Sequence, residues 1–401
     1  MRKNVKKQLA LRVLSTAALV AMVSSIATAA FADTYDLNTG SVTVETKANG
    51  ITYVTQKDDK QVDGFARNKN NEILNEHPDD TGVTITSDGR QTSNTITVET
   101  AKDQTTDVTL DKVHIEVDTA KTKSGAIEIK GDGDTNLELN GNNTVLVKND
   151  WEEEHAAIEK ADTYGKGTLT IKDDLNDDNT PKDKDENGNA VGGDTGKLVA
   201  GGYHDAAAIG GGGTDDTACT SNITITGGEI TANGGTYGAG IGGGYSGDAS
   251  NIRIEGNADV TAFGDSGAAI GSSYHARGNS DITITDHATV TAASLDACAI
   301  GGGQDADGKV TVTISGHASV NAQTRNPPAA IGSDRSSATV NIEDNADVTA
   351  VGGGVAIGTG YGHEGTSTVI NITGGTVNAV TRDDSRPAIG TVYGNLDLTI
   401  N

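Results

Sequence analysis

Seven Ile-Gly dipeptides, at Ile209, Ile241, Ile270, Ile300, Ile331, Ile357 and Ile389, recur at intervals of 26 to 32 residues. Two further short segments of alternating apolar and polar residues follow each of the first six, and one follows Ile389, with Gly, Asn and Asp in the gaps between them. A fixed period with three such segments predicts an all-β fold, a right-handed single-stranded parallel β-helix (solenoid) with three short strands per coil.

The first strand of each coil is the Ile-Gly unit, preceded by Ala everywhere except at Ile241. The second carries the pairs Ile223/Ile225, Ile252/Ile254, Ile282/Ile284, Val312/Ile314, Val340/Ile342, Ile370/Ile372 and Leu398/Ile400. The third carries Ile230/Ala232, Val260/Ala262, Val290/Ala292, Val320/Ala322, Val348/Ala350 and Val377/Ala379. Alternation with period two buries one face of a strand, and β-branched residues suit that surface. If each strand pairs with its copy one coil later, Ile stacks on Ile and Ala on Ala, so a narrow core close-packs with little apolar content.

The pattern reaches back through Leu169/Ile171, Leu137/Leu139 and Val108/Leu110 for the second strand, with Ala157-Ile158 and Ala126-Ile127 for the first. Stepping from Leu110 through Leu139, Ile171 and Ile225, one interval is 54 residues, nearly twice the others. The excess is the polar, acidic stretch 173–196, read as a loop inserted into one coil. Residues 33–123 hold weaker strands such as Val42-Thr43-Val44, Val83-Thr84-Ile85 and Ile96-Thr97-Val98, broken by the polar segment Gln56 to Asp80. Such atypical coils are expected at a solenoid end, which needs a cap. The repeat proper occupies residues 124–401, for roughly ten coils in all.

The first 32 residues hold Arg2, Lys3, Lys6, Lys7 and Arg12 with no acid, then an apolar run from Val13 to Ala30 and the sequence Ala30-Phe31-Ala32. This reads as a secretory signal peptide, residues 1–32, which implies a secreted, extracellular or cell-wall-associated protein. Its loss takes the formal net charge from −26 to −31. Charge of that sign argues against nucleic acid as a partner, and no later apolar run is long enough to form a transmembrane helix.

Between second and third strands stand Gly227-Gly228, Gly256-Asn257, Asp286-His287, Gly316-His317, Asp344-Asn345 and Gly374-Gly375. The second member is always Gly, Asn or His, types that tolerate a positive φ, so His287 and His317 are expected to be turn residues rather than bases. Cys298 falls on an inward small-residue position and Cys219 in a turn three coils away, which predicts two free thiols.

The segments "YDLNTGSVTV", "TSNTITV" and "VTLDKVHIEV", with the serial "AAIGGG" units, resemble the right-handed parallel β-helix surface proteins of Gram-positive gut (clostridial) bacteria described as carbohydrate-binding-domain proteins. The resemblance implies an exported, glycan-facing location. It does not imply a reaction, because β-helices host adhesins, binding modules and polysaccharide lyases or hydrolases alike.

Four residues after each Ile of the first strand stand Tyr245, Tyr274, Gln304, Arg335, Tyr361 and Tyr393, with His275 and His363 beside two of the tyrosines. Aromatic faces cover the apolar side of a sugar ring while Gln and Arg reach hydroxyls or carboxylates, so these six form the candidate ligand-binding column. Tyrosines that only cover the coil edge are the alternative. Within the insertion, Asp183, Asp185 and Asn187 precede Gly188, and Asp194 is twelfth in the loop. Oxygen ligands at positions 1, 3, 5 and 12 with Gly at 6 suit calcium, although no flanking helix is predicted and a solvated acidic loop has the same composition. Lyase or hydrolase chemistry would need paired carboxylates or a base on neighbouring coils. The nearest set is Arg382, Asp383, Asp384 and Arg386 beside Gly362-His363-Glu364. Outward threonines at Thr224/Thr226 and Thr283/Thr285 suggest an ice- or crystal-binding array, but Arg253/Glu255 and Asn341/Glu343 break its regularity. The sequence therefore predicts a noncatalytic adhesin or glycan-binding module, partnered by polysaccharide or a host or cell-wall glycan, with an enzyme as the competing reading.

Overall fold

A computed structural model describes residues 33–57, 72–77, 82–148, 154–173, 195–214 and 216–401. The predicted signal peptide and the four proposed calcium ligands Asp183, Asp185, Asn187 and Asp194 lie outside the described residues. The chain is a right-handed parallel β-solenoid of about nine turns, against the roughly ten expected. Three sheets of 13, 12 and 10 strands form its sides. Helix is confined, among the described residues, to Thr119–Thr122 and a 3-10 turn at Asp162–Tyr164.

The columns run in register. Ile127, Ile158, Ile209, Ile241, Ile270, Ile300, Ile331, Ile357 and Ile389 are successive partners in the first sheet. Ala232, Ala262, Ala292, Ala322, Ala350 and Ala379 are successive partners in the third. Facing Ile and Val columns of the other sheets are buried until the last coil, where Leu398 and Ile400 are exposed, and the Ala column keeps the interior narrow enough to close.

From Ile209 onward the first strand is only two or three residues long, and its second residue is always glycine. Gly210, Gly242, Gly271, Gly301, Gly332, Gly358 and Gly390 all have φ between 131° and 143°. A Cβ on any of the first six would lie 1.8 to 2.0 Å from the carbonyl oxygen of the equivalent glycine one coil on. The conformation and the lack of space both demand glycine, and the chain turns sharply at each one.

Three expectations are corrected. Ile171 pairs with Leu137 and not with Leu139, whose partner is Asp173. Asp173 is buried and accepts a 2.7 Å hydrogen bond from the Gly196 N–H, so its carboxylate, rather than an apolar column residue, closes the neck of the insertion. In the turns after the second strand, positive φ falls on the first member at Gly256, Asp286, Gly316 and Asp344, and on the second only at Gly228 and Gly375. The His287 and His317 rings instead stack at 5.1 Å with 3° between planes, as in-register turn residues do. The supposed polar break from Gln56 to Asp80 contains strand Glu72–His77 and the end of strand Thr52–Lys57. With Val42–Thr46 these make an antiparallel meander on the end of the first sheet. Beneath it, buried hydroxyls of Thr52, Thr46, Thr106, Thr100 and Thr135 link in a chain at 2.7 to 3.1 Å. Both cysteines are free, as expected.

Replacing Gly271 with Ala places a Cβ 2.0 Å from the Gly301 carbonyl oxygen of the next coil. Thermal unfolding should show a loss on the order of 4 kcal/mol or more, whereas Gly365→Ala, with φ of 93° but nothing within 4 Å, should cost only about 1–2 kcal/mol. Because Asp173 and Gly196 already meet, deleting 174–194 should leave the β-type circular dichroism intact and move the melting temperature by only a few degrees. Loss of cooperative unfolding would instead place the insertion in the core.

Candidate functional site

The two-residue first strand brings the turns before and after it side by side. Tyr245 N–H donates to the Asp205 carbonyl at 2.7 Å, Tyr274 N–H to the Tyr237 carbonyl at 3.2 Å, and His275 N–H to the Gln304 carbonyl at 3.0 Å. The residue after each column position is left-handed at Ser246, His275 and Asp305, with φ of 57° to 59°. This shared turn geometry sets Tyr245, Tyr274 and Gln304 in one line.

Tyr245 and Tyr274 lie 5.9 Å apart with ring planes at 40°. They are therefore not parallel rungs. Tyr237, from the preceding turn, packs against both at 5.9 and 5.1 Å. His275 stacks on Tyr274 at 4.0 Å and 14°, and its own side chain is exposed. His204 meets Tyr237 edge-on at 5.3 Å. The result is a half-buried aromatic cluster spanning three coils, topped by one exposed imidazole.

Beyond Gln304 the six-residue column breaks. At Arg335 and Tyr361 the following residues, Ser336 and Gly362, are not left-handed. Arg335 is exposed and pairs with the Asp305 carboxylate, whose other oxygen lies 3.7 Å from His275 Nε2. Tyr361 sits under the Arg386 guanidinium at 4.7 Å, and Tyr393 is 62% exposed on the last described coil. The structure thus brings Tyr245, Tyr274, Gln304 and, through Asp305, Arg335 into one neighbourhood, and leaves Tyr361 and Tyr393 apart from it. In the set considered for catalysis, three side chains make structural contacts. Asp383 holds Ser385 and Arg386, Arg386 also donates to the Gly360 carbonyl, and Arg382 donates to the Thr324 carbonyl.

Two polar clusters at the other end of the aromatic group escaped the sequence reading. Glu128 and Glu159 occupy the column that holds glycine from Gly210 onward, and they pair with each other in register. Glu159 is fully buried, accepting from the Ala156 N–H at 2.9 Å and lying 2.9 Å from His155 Nδ1, while Glu128 meets Lys130 Nζ at 2.9 Å. Burial, then the Glu159 charge and hydrogen bond, push the Tyr164 hydroxyl well above the ordinary phenol range. Burial holds the Lys160 ammonium, which donates to the Gly165 carbonyl, below the ordinary lysine range. In the second cluster, Glu154 Oε1 and Asp205 Oδ1 lie 3.2 and 2.7 Å from His204 Nδ1. Burial first, then the hydrogen bond and charge of Asp205, push the Glu154 carboxyl up to about 8. A visible signal existed: Ile127-Glu128 and Ile158-Glu159 stand where later coils read Ile-Gly.

With this geometry in view, the chain matches a family profile described as a beta helix repeat over residues 223–245, 252–274, 282–304 and 370–391. Three of these segments end on Tyr245, Tyr274 and Gln304. No curated protein and no solved structure matches the chain. The fold is a parallel β-helix built from repeats, and among the described residues no helix is long and apolar enough to cross a membrane.

Asp334 supplies a pH test of this turn region. It is 2% exposed, its Oδ2 accepts the Asp305 N–H at 2.9 Å, and it faces Asp305, Arg335 and Arg386. Burial raises its carboxyl from 3.8 to about 6. Between those values the folded state holds the proton that the unfolded state has lost, so stability falls as pH rises and the full cost is present above 6. Asp334→Asn should therefore raise the melting temperature at pH 7–8, by the equivalent of at most roughly 3 kcal/mol, and give no gain near pH 4.

Proposed function

We propose that this chain is a noncatalytic glycan-binding protein, secreted or held at a cell surface, and that the Tyr237, Tyr245, Tyr274 and His275 cluster is where a polysaccharide rests. The observation that supports it is the exposed His275 imidazole stacked flat on Tyr274, with two more tyrosine rings behind it. A flat, stiffened ring surface covers the apolar face of a sugar at little entropic cost. Asp305 and Arg335 stand beside it to meet hydroxyls. Neutral glycans suit a chain of net charge −26 better than polyanionic ones. The enzyme reading draws no support from Glu154 and Asp205, which share one hydrogen bond where a glycosidase keeps its two carboxyls roughly 5–10 Å apart. Calcium held by Asp183, Asp185, Asn187 and Asp194 belongs to the same proposal, as a stiffener of the insertion.

The test is binding to a panel of neutral and acidic polysaccharides, with and without calcium, alongside an assay for new reducing ends or unsaturated products. Tyr274→Ala should weaken binding by about 1–3 kcal/mol and Tyr274→Phe should preserve it. Because Tyr274 also supports its neighbours, His275→Ala is the cleaner probe: weaker binding at an unchanged melting temperature. Equal affinity in wild type and the Tyr245→Ala, Tyr274→Ala double variant would reject the aromatic site, and product formation would reject the noncatalytic reading.

A further inference from the structure

We propose that Glu154, His204 and Asp205 form a binding site for a first-row divalent cation of the zinc type, at the edge of the aromatic cluster. One ligand atom from each residue lies within 4.8 Å of the other two. The three come from different parts of one neighbourhood. Glu154 precedes the first strand of its coil, and His204 and Asp205 form the turn one coil later, ahead of Ile209.

The surroundings hold these groups in place. Gly213 N–H donates to the Glu154 carbonyl at 2.7 Å, and Tyr237 N–H donates to the His204 carbonyl at 2.8 Å. The Tyr237 ring sets the plane of the imidazole edge-on. Gly213 has no side chain where one would intrude: a Cβ there would lie 2.5 Å from Glu154 Oε2 and 2.7 Å from the Asp205 Cβ.

An independent observation points to a missing positive partner. Among the described residues, Asp205 Oδ1 is shut off from solvent and has no well-aligned hydrogen-bond donor; its near neighbours are His204 Nδ1 at 2.7 Å and the Glu154 carboxyl. Among the described residues, the ion-pair partner of both carboxylates is His204, and no Lys or Arg reaches either one. Two carboxylates crowded together with an imidazole nitrogen are what a divalent ion reconciles. The neighbouring Glu128, His155 and Glu159 set has the same composition but is already served by Lys130, by the Ala156 N–H and by the His155 contact, so it is a closed structural pair.

The donor set selects the ion. An imidazole nitrogen with two carboxylate oxygens suits Zn²⁺ or Mn²⁺, whereas calcium takes six to eight oxygens. This inference does not rest on glycan binding, because metal content is read without any sugar.

The full chain, stripped with a chelator, is titrated with Zn²⁺ against a chromophoric competitor, and bound metal is counted after dialysis. About one Zn²⁺ per chain is expected, with calcium in excess failing to displace it. Asp205→Asn and His204→Asn should each weaken binding at least tenfold; Asn is chosen at 204 because it tolerates the φ of 45° there. Should either variant unfold, Glu154→Gln and the zinc-dependent rise in melting temperature decide, since the rise should appear in wild type and vanish in that variant. No bound zinc, or zinc retained undiminished in these variants, overturns the site.

Discussion

The seven coils from Ile209 to the last depend on a glycine that, in all but the last of them, has no room for a side chain. From Ile209 onward the chain must turn at the end of each first strand within two or three residues, while its backbone lies against the same turn one coil away. Only a residue with positive φ and no Cβ satisfies both demands. The in-register Ile column before it and the Ala column of the third sheet then follow from symmetry. Once one position in a coil is pinned to its copy, the parallel pairing carries the register to the rest.

The same constraint explains where chemistry collects. Because the first strand is so short, the turns on either side of it come within contact distance, and side chains about eight residues apart, such as Tyr237 and Tyr245, share a surface. Where the glycine rule is lifted, at Glu128 and Glu159, the column accommodates acidic side chains, and the interior there turns polar: His155, Lys160 and Tyr164 surround them. A buried charge network in an otherwise apolar stack is costly unless each member is paired, and these largely are.

The strand columns were legible because stacking repeats one local pattern many times, so that the Ile and Ala positions reinforce each other across coils. The slip at Leu139 was not, since Asp173 fills an apolar column position for a reason that lies 23 residues away, at Gly196. The aromatic site was half legible. Tyr245 and Tyr274 share a period position, but Tyr237 belongs to a different turn, and only the three-dimensional closeness of those turns adds it. The predicted column failed at Arg335 and Tyr361 because equal spacing along the chain does not guarantee equal turn conformation. Glu154, His204 and Asp205 carry no motif at all; their meeting is a product of the coil pitch.

The tyrosine cluster straddles the joint between coils rather than sitting within one. Each coil touches only its neighbours, so coils elsewhere in the stack can be gained or lost without disturbing that joint. The length of such a molecule and the presence of its aromatic cluster can therefore drift independently. A lineage could lengthen the stack while keeping the tyrosine cluster, or lose the cluster by excising one coil between Ile241 and Ile270 and still fold.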